Sequence, residues 1–128
     1  MLARTSVDPI PPGAIYTYET VVTPEHTAHS FGDRFPKILA TPTLLGWMEV
    51  AAEGCIKPHL RDGQVSVGFK VEMTHHRSAH PGDMVWVRMQ LVKCFGDLLL
   101  FTGEAGCGDH SIASISHQRQ VIDSDGRA

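Results

Sequence analysis

The sequence has little cysteine, little net charge and no long apolar run, and each shortage excludes a class of protein. The three cysteines are odd in number and lack CxxC spacing, so we expect neither a disulfide framework nor a structural zinc site. The formal net charge is -3, and nucleic acid is not an expected partner because its recognition usually needs clustered Lys and Arg. No segment approaches the roughly 20 apolar residues of a membrane span.

What remains is the composition of one globular domain. The 128 residues are 42% hydrophobic and 20% charged, a length and balance that suit a single core. We therefore expect one domain over residues 1–128, with residues 1–13, which end in the proline-rich DPIPPG, as an irregular lead-in. Residues 1–13 contain no apolar stretch typical of a signal peptide, so a cytoplasmic protein is expected.

Hydrophobic periodicity predicts one helix and five strands. The helix is expected to begin with Thr41 as N-cap, since Pro42 suits the first helical position, and to end before Pro58. Period-two or β-rich patterns predict strands at 14–22, 65–74, 84–93, 98–106 and 111–122. In the second strand, strict alternation places one apolar set on one face: Val65, Val67, Phe69, Val71 and Met73.

This order of elements predicts an α+β fold in which an antiparallel sheet wraps around one central helix. Residues 23–40, between the first strand and the helix, lack periodicity and contain Phe31, Gly32 and Phe35. Such a segment is expected to be a loop with a short helical turn near Phe31 to Phe35, and it is a candidate lid over a pocket.

Three polar residues stand at positions where chemistry is possible. Thr41 opens the helix, Glu49 lies in the mainly apolar stretch WMEVAA, and His75 ends the first alternating strand. Each has a structural explanation: a cap, a solvated glutamate, a surface histidine. A carboxylate on an apolar helix must, however, find water, a partner or a proton.

A metal site at the histidines is not expected. His75 and His76 are adjacent on a strand and therefore point to opposite faces, so they do not easily share an ion even with His80 nearby. No cofactor is implied by any motif. The remaining histidines are expected to be surface or structural residues: His26, His29, His59, His110 and His117.

The stretches ATPTLLGWMEVAA, VGFKVEMTH and HPGD together resemble the hotdog thioesterases of the fluoroacetyl-CoA thioesterase type. In that family a Thr opens the central helix, a Glu follows eight residues on, and a Gly precedes a His by seven positions in the next strand. Thr41, Glu49, Gly68 and His75 stand at the same spacings. The resemblance covers most of the chain.

The resemblance implies a hotdog homodimer that hydrolyses a short or medium acyl-CoA thioester. Glu49 would be nucleophile or base, His75 would shuttle protons, Thr41 would position water or the acyl group, and Gly68 would line the site. Attack on a thioester carbonyl needs these kinds of group. An acyl-Glu anhydride and direct attack by water both stay open.

The resemblance extends to Phe35 in the lid but departs beside it. Three residues earlier, where the fluoroacetate-specific member carries a second lid aromatic, this chain has Gly32. A gate of two rings would be incomplete, so the resemblance does not imply selectivity for fluoroacetyl-CoA. Basic residues that could hold the CoA phosphates are Arg77, Arg88, Lys93 and Arg119.

Two other functions fit the same fold. A non-catalytic acyl-CoA binding or sensing domain would use Thr41 only as a cap and Glu49 only as a structural polar residue. A hotdog enoyl-CoA hydratase would use an Asp and a His five residues apart in the loop before the helix. Asp33 is the nearest candidate, but Ile38 stands at that distance, which disfavours the hydratase.

Overall fold

The computed structural model describes residues 7–126, which form a five-stranded antiparallel sheet and one long helix. The elements in chain order are β1 (Ile15–Val21), α1 (Thr41–Ile56), β2 (Gln64–His75), β3 (Met84–Phe95), β4 (Leu98–Cys107) and β5 (His110–Asp123). The strand order in the sheet is β1-β3-β4-β5-β2, so β1 and β2 are the edge strands. The predicted α+β arrangement is confirmed.

Two sequence predictions, an irregular segment over residues 1–13 and the absence of a membrane span, can be compared with the described residues. Residues 7–13 contain no helix or strand, whereas the prediction for residues 1–6 lies outside the described residues. Within residues 7–126, no helix is long and apolar enough to cross a membrane.

The core lies between α1 and one face of the sheet. Alternate residues of β3 are fully buried there, as period-two burial requires: Val85, Val87, Met89 and Leu91. The helix also approaches β1 closely at Gly54, where an added Cβ would lie 2.7 Å from the Tyr16 ring. Gly54 therefore fixes how near the helix axis comes to the sheet.

The helix begins one residue earlier than the sequence predicts. Ala40, not Thr41, is the N-cap, and Thr41 is the first helical residue. The Thr41 side chain makes no capping hydrogen bond because its hydroxyl meets His75 of β2 instead. The helix ends at Ile56, and a 3-10 turn over Lys57–His59 contains the predicted terminator Pro58.

The predicted alternation along β2 is wrong because the strand contains a β-bulge. Its pairing with β5 shifts between Gly68 and Lys70, which inserts one unpaired position. As a result Ser66, Gly68 and His75 all meet α1, although strict alternation would put His75 on the opposite face from the first two.

The segment between β1 and α1 is held to itself by a β-bridge near its two ends. It contains two 3-10 turns, Pro24–His26 and Ala28–Phe31, and an isolated bridge joins Thr27 to Leu39, both of which are buried. The predicted helical turn is therefore found slightly earlier than Phe31 to Phe35. The part between the two bridge residues projects into solvent, with Phe31 63% and Phe35 54% exposed.

Candidate active site

Thr41 and His75 form a hydrogen-bonded pair where the start of α1 meets the end of β2. Thr41 Oγ1 lies 2.8 Å from His75 Nδ1. If the hydroxyl donates, Nδ1 is unprotonated; if Nδ1–H donates, Nε2 is the free acceptor of the neutral ring. Either arrangement couples the threonine hydroxyl to an imidazole that exchanges protons.

The other ring nitrogen of His75 is buried and has no hydrogen-bond partner among residues 7–126. Burial lowers the pKa of His75 below its ordinary value, a shift that the backbone of Arg77 opposes and the charge of His76 reinforces. The imidazole is therefore neutral at pH 7. A buried polar atom without a partner is uncommon in folded proteins and points to a ligand or water at that place.

Glu49 lies on α1 two turns further along and faces the backbone of β2 at Gly68. A Cβ at Gly68 would lie 3.0 Å from Glu49 Oε1, so any larger residue there would press on the carboxylate. The side chain of Glu49 is 40% exposed, and its Oε2 is 3.9 Å from Nη1 of Arg119, whose side chain is only 6% exposed. Glu49 is thus partly open to solvent and has a cationic partner.

Beneath Glu49 lies a buried polar pair that sequence reasoning missed, His117 and Arg119 of β5. His117 donates from Nδ1 to the Lys70 carbonyl at 2.9 Å, which leaves Nε2 to accept from Arg119 Nη1 at 3.2 Å. Burial, the largest influence, lowers the pKa of His117; the Lys70 hydrogen bond opposes this, Arg119 lowers the pKa further and Glu49 raises it. His117 is therefore a neutral, fully hydrogen-bonded core residue.

A signal for this pair was present in the sequence. Along β5, Ile115, His117, Arg119 and Val121 occupy alternate positions and are all buried. A histidine and an arginine in a row of inward positions that also holds Ile115 and Val121 indicate a buried polar network. Arg119, one of the candidates for holding a CoA phosphate, is only 5% exposed, and its guanidinium is hydrogen-bonded to Ser66 and His117, which disfavours that role.

The other basic candidates have different surroundings. Arg88 pairs with Glu104 on the exposed side of the sheet, and the Lys93 ammonium lies 4.4 Å from the centre of the Phe95 ring. Arg77 instead lines the cleft beside Thr41 and His75. Among the four, Arg77 is the one that lines this cleft.

That cleft has a volume of about 280 Å³. Its walls come from the 23–40 segment, the start of α1 and the residues that follow β2: Ala28, Ile38, Leu39, Ala40, Thr41, His75, His76, Arg77 and Ser78. Phe35 is not among them. Its ring instead packs near Gly32, where an added Cβ would lie 3.5 Å from the ring.

The structure therefore brings the predicted residues together as two groups. Thr41 and His75 form one, and Glu49 and Gly68 form the other. Gly68 and His75 are seven residues apart in β2, roughly 23 Å along an extended strand, and eight helical residues separate Thr41 from Glu49 by roughly 12 Å along the helix axis. Across residues 7–126, no three His, Cys, Asp or Glu side chains are grouped to hold a metal ion.

Comparison with known structures defines the class of protein. The fluoroacetyl-CoA thioesterase FlK superposes with a TM-score of 0.85 at 30% identity, over 92% of both chains. A thioesterase superfamily member from Thermus thermophilus gives a TM-score of 0.83 at 32% identity, over 91% of this chain and 87% of the other. The predicted hotdog fold is confirmed, and the class is thioester hydrolase.

The sequence comparison identifies the family within that class. The chain is 32% identical to the fluoroacetyl-CoA thioesterase of Streptantibioticus cattleyicolor over 116 residues. This aligned stretch covers 86% of this chain and 84% of the relative. The family model for the fluoroacetyl-CoA-specific thioesterase FlK matches residues 22–125. The chain belongs to this thioesterase family.

Proposed function

We propose that the protein hydrolyses a short or medium acyl-CoA thioester. Glu49 acts as nucleophile or base, His75 shuttles protons, and Thr41 positions water or the acyl group. The observation that supports this best is the pair formed by Thr41 and His75, in which a neutral imidazole is bonded to a hydroxyl and its buried Nε2 lacks a protein partner. A ring in this state can accept a proton and pass it on.

The second group supplies the charge that the reaction needs. The Glu49 carboxylate lies against Gly68, where the absence of a side chain lets it come close to the backbone of β2. Amide N–H groups of β2 near Gly68 or of the first turn of α1 are suitable donors for the oxyanion. The pair of Thr41 and His75 and the pair of Glu49 and Gly68 can take part in one reaction only if both contact the same thioester.

We further propose a homodimer in which each site combines Glu49 of one chain with Thr41 and His75 of the other. Strand β2 is an edge strand, and its residues from Gly68 to Glu72 are exposed, with Phe69 at 47% and Val71 at 39%. An exposed apolar edge invites pairing with another strand. Antiparallel pairing of two copies about an axis near Val71 and Glu72 would lay the partner's His75 end beside Gly68.

A panel of acyl-CoAs of increasing chain length, assayed with a free-thiol reagent, tests the reaction. Turnover of at least one short or medium thioester is expected, and it should fall at least about 100-fold in Glu49→Ala, the lower end for a positioned acid or base. Stoichiometric binding of acyl-CoA without thiol release would instead support a sensing domain.

A further inference from the structure

A second carboxylate, Glu53, lies one turn after Glu49 on α1 and reaches β2 at Ser66. Its Oε1 accepts two hydrogen bonds from that residue, from the backbone N–H at 2.9 Å and from the hydroxyl at 2.8 Å. Ser66 is buried, with 6% of its surface exposed. Glu53 is therefore tied to a fixed point in the sheet rather than extended into solvent.

Ser66 in turn holds the guanidinium of Arg119. Arg119 donates from Nε to Ser66 Oγ at 2.7 Å and from Nη2 to the Ser66 carbonyl at 2.8 Å. A serine hydroxyl has one proton to donate and lone pairs that accept. Because the hydroxyl donates its hydrogen bond to Glu53, it accepts the hydrogen bond from Arg119 Nε with a lone pair. The two hydrogen bonds polarise each other.

The charges of this network agree with its geometry. Burial lowers the pKa of Arg119, whereas Glu49 and Glu53 both raise it. A buried cation is costly unless it is paired and hydrogen-bonded. The guanidinium uses Nε and Nη2 on Ser66 and directs Nη1 to His117 and to Glu49, at 3.2 Å and 3.9 Å.

We propose that Glu53 is a positioning residue for the hydrolase site: through Ser66 it orients Arg119 so that the guanidinium stays beside Glu49. Glu53 itself need not touch the substrate. The inference rests on the proposed role of Glu49, but the orientation of Arg119 can be measured without any assay of activity.

Three variants separate orientation from charge. Glu53→Ala removes both hydrogen bonds to Ser66, whereas Glu53→Gln keeps an oxygen that can accept them and removes only the charge. Ser66→Ala removes the hydroxyl that links Glu53 to Arg119. Ser116→Ala is the matched control, a serine on the exposed side of β5.

Turnover and the NMR signal of the Arg119 Nε–H group are measured on the purified full-length protein, with thermal melting as a check on folding. In Glu53→Ala and Ser66→Ala we expect kcat to fall about 10-fold or more, since small displacements of catalytic groups are costly, with KM little changed. The Nε–H signal should shift and exchange faster with solvent. Glu53→Gln should recover most of the lost turnover, and Ser116→Ala should resemble the wild type.

Each contrary result overturns a different statement. An active wild type with unchanged kcat in folded Glu53→Ala, or a Gln variant as impaired as the Ala variant, overturns the positioning role. An unchanged Arg119 Nε–H signal in Glu53→Ala also overturns it. A wild type that hydrolyses no acyl-CoA while the signal still depends on Glu53 overturns the proposed function and leaves the orientation of Arg119 standing.

Discussion

Thr41 and His75 are 34 residues apart in the chain, yet Thr41 Oγ1 and His75 Nδ1 lie within 2.8 Å of each other. Ala40 is the N-cap of α1 and Thr41 its first residue, and the Thr41 hydroxyl meets His75 instead of capping the helix. Thr41 is thus available to the imidazole rather than to the helix backbone.

This relationship predicts a difference between two substitutions of Thr41. Thr41→Ser keeps the hydroxyl and should retain turnover within about 10-fold, whereas Thr41→Ala should lose about 100-fold or more. The loss of a cap should not contribute, so melting temperatures should change little. Steady-state kinetics and thermal melts measure both effects. Equal turnover in the Ala and Ser variants would show that the hydroxyl is not used.

Activity should be restored by mixing two inactive variants. Glu49→Ala and His75→Ala, combined at equal concentration under conditions that let subunits exchange, should regain up to about a quarter of wild-type activity, because half of the dimers are mixed and each has one intact site. Each variant incubated alone is the control. If mixing restores nothing although exchange is demonstrated, each site belongs to a single chain.

The proposed pairing of β2 with its copy should be visible by cross-linking. With the two-fold axis between Val71 and Glu72, each Val71 lies opposite the partner's Glu72, so a double variant with Val71→Cys and Glu72→Cys would place cysteines of the two chains opposite each other at a spacing suited to a disulfide. The oxidised double variant should therefore run as a covalent dimer on a non-reducing gel. Thr17→Cys on the other edge strand, β1, and the wild type with its three free cysteines are the controls. Dimer formation through Thr17→Cys alone would place the interface on β1.

The buried histidine predicts that the protein loses stability in mild acid. The pKa of His117 in the folded chain is lowered by burial, so the unfolded chain binds a proton more readily. Its contribution to stability is present above the unfolded pKa of about 6.5 and is lost as the pH falls toward the folded pKa. Urea melts of the wild type from pH 7 to pH 5 should show this decline.

The control isolates His117 from other titrating groups. His117→Asn keeps a donor for the Lys70 carbonyl and cannot titrate, so its stability should vary less with pH than that of the wild type. His59→Asn alters an exposed histidine and should follow the wild type. Parallel pH curves for all three proteins would contradict the assignment to His117.

Phe35 is expected to cover the acyl group, although its ring is half exposed and does not line the cleft in the structure. Contact would require the 23–40 segment to close over a bound substrate. Phe35→Ala should then raise KM about 5- to 10-fold for at least one chain length, the cost of about 1 kcal/mol of lost apolar contact. Phe95→Ala, an exposed ring elsewhere, is the control. Unchanged KM across the whole panel would exclude a lid role.

The sequence predicted the elements well because their periodicity is local. The predicted strand 65–74 is found as Gln64–His75, and 84–93 as Met84–Phe95. Thr41, Glu49 and His75 were predicted as site residues from spacing and resemblance, and their catalytic roles stay predictions. The partner of Glu49, Arg119, was not predicted. Its position depends on a hydrogen bond to Ser66, which is 53 residues away in the chain, and therefore on the register of β5 against β2. The helix cap was misplaced by one residue because a tertiary contact competes for the same hydroxyl.

Because of the bulge between Gly68 and Lys70, the number of residues in β2 decides which face His75 occupies, whatever the identity of the residues between them. A residue removed there would rotate the rest of the strand by half a turn, so the His75 imidazole would leave Thr41 and face the outer surface. Point substitutions near the bulge can be absorbed one at a time, but a single insertion or deletion acts on every later position at once. Relatives that keep both Gly68 and His75 functional should therefore vary in sequence between them while keeping the count of residues constant.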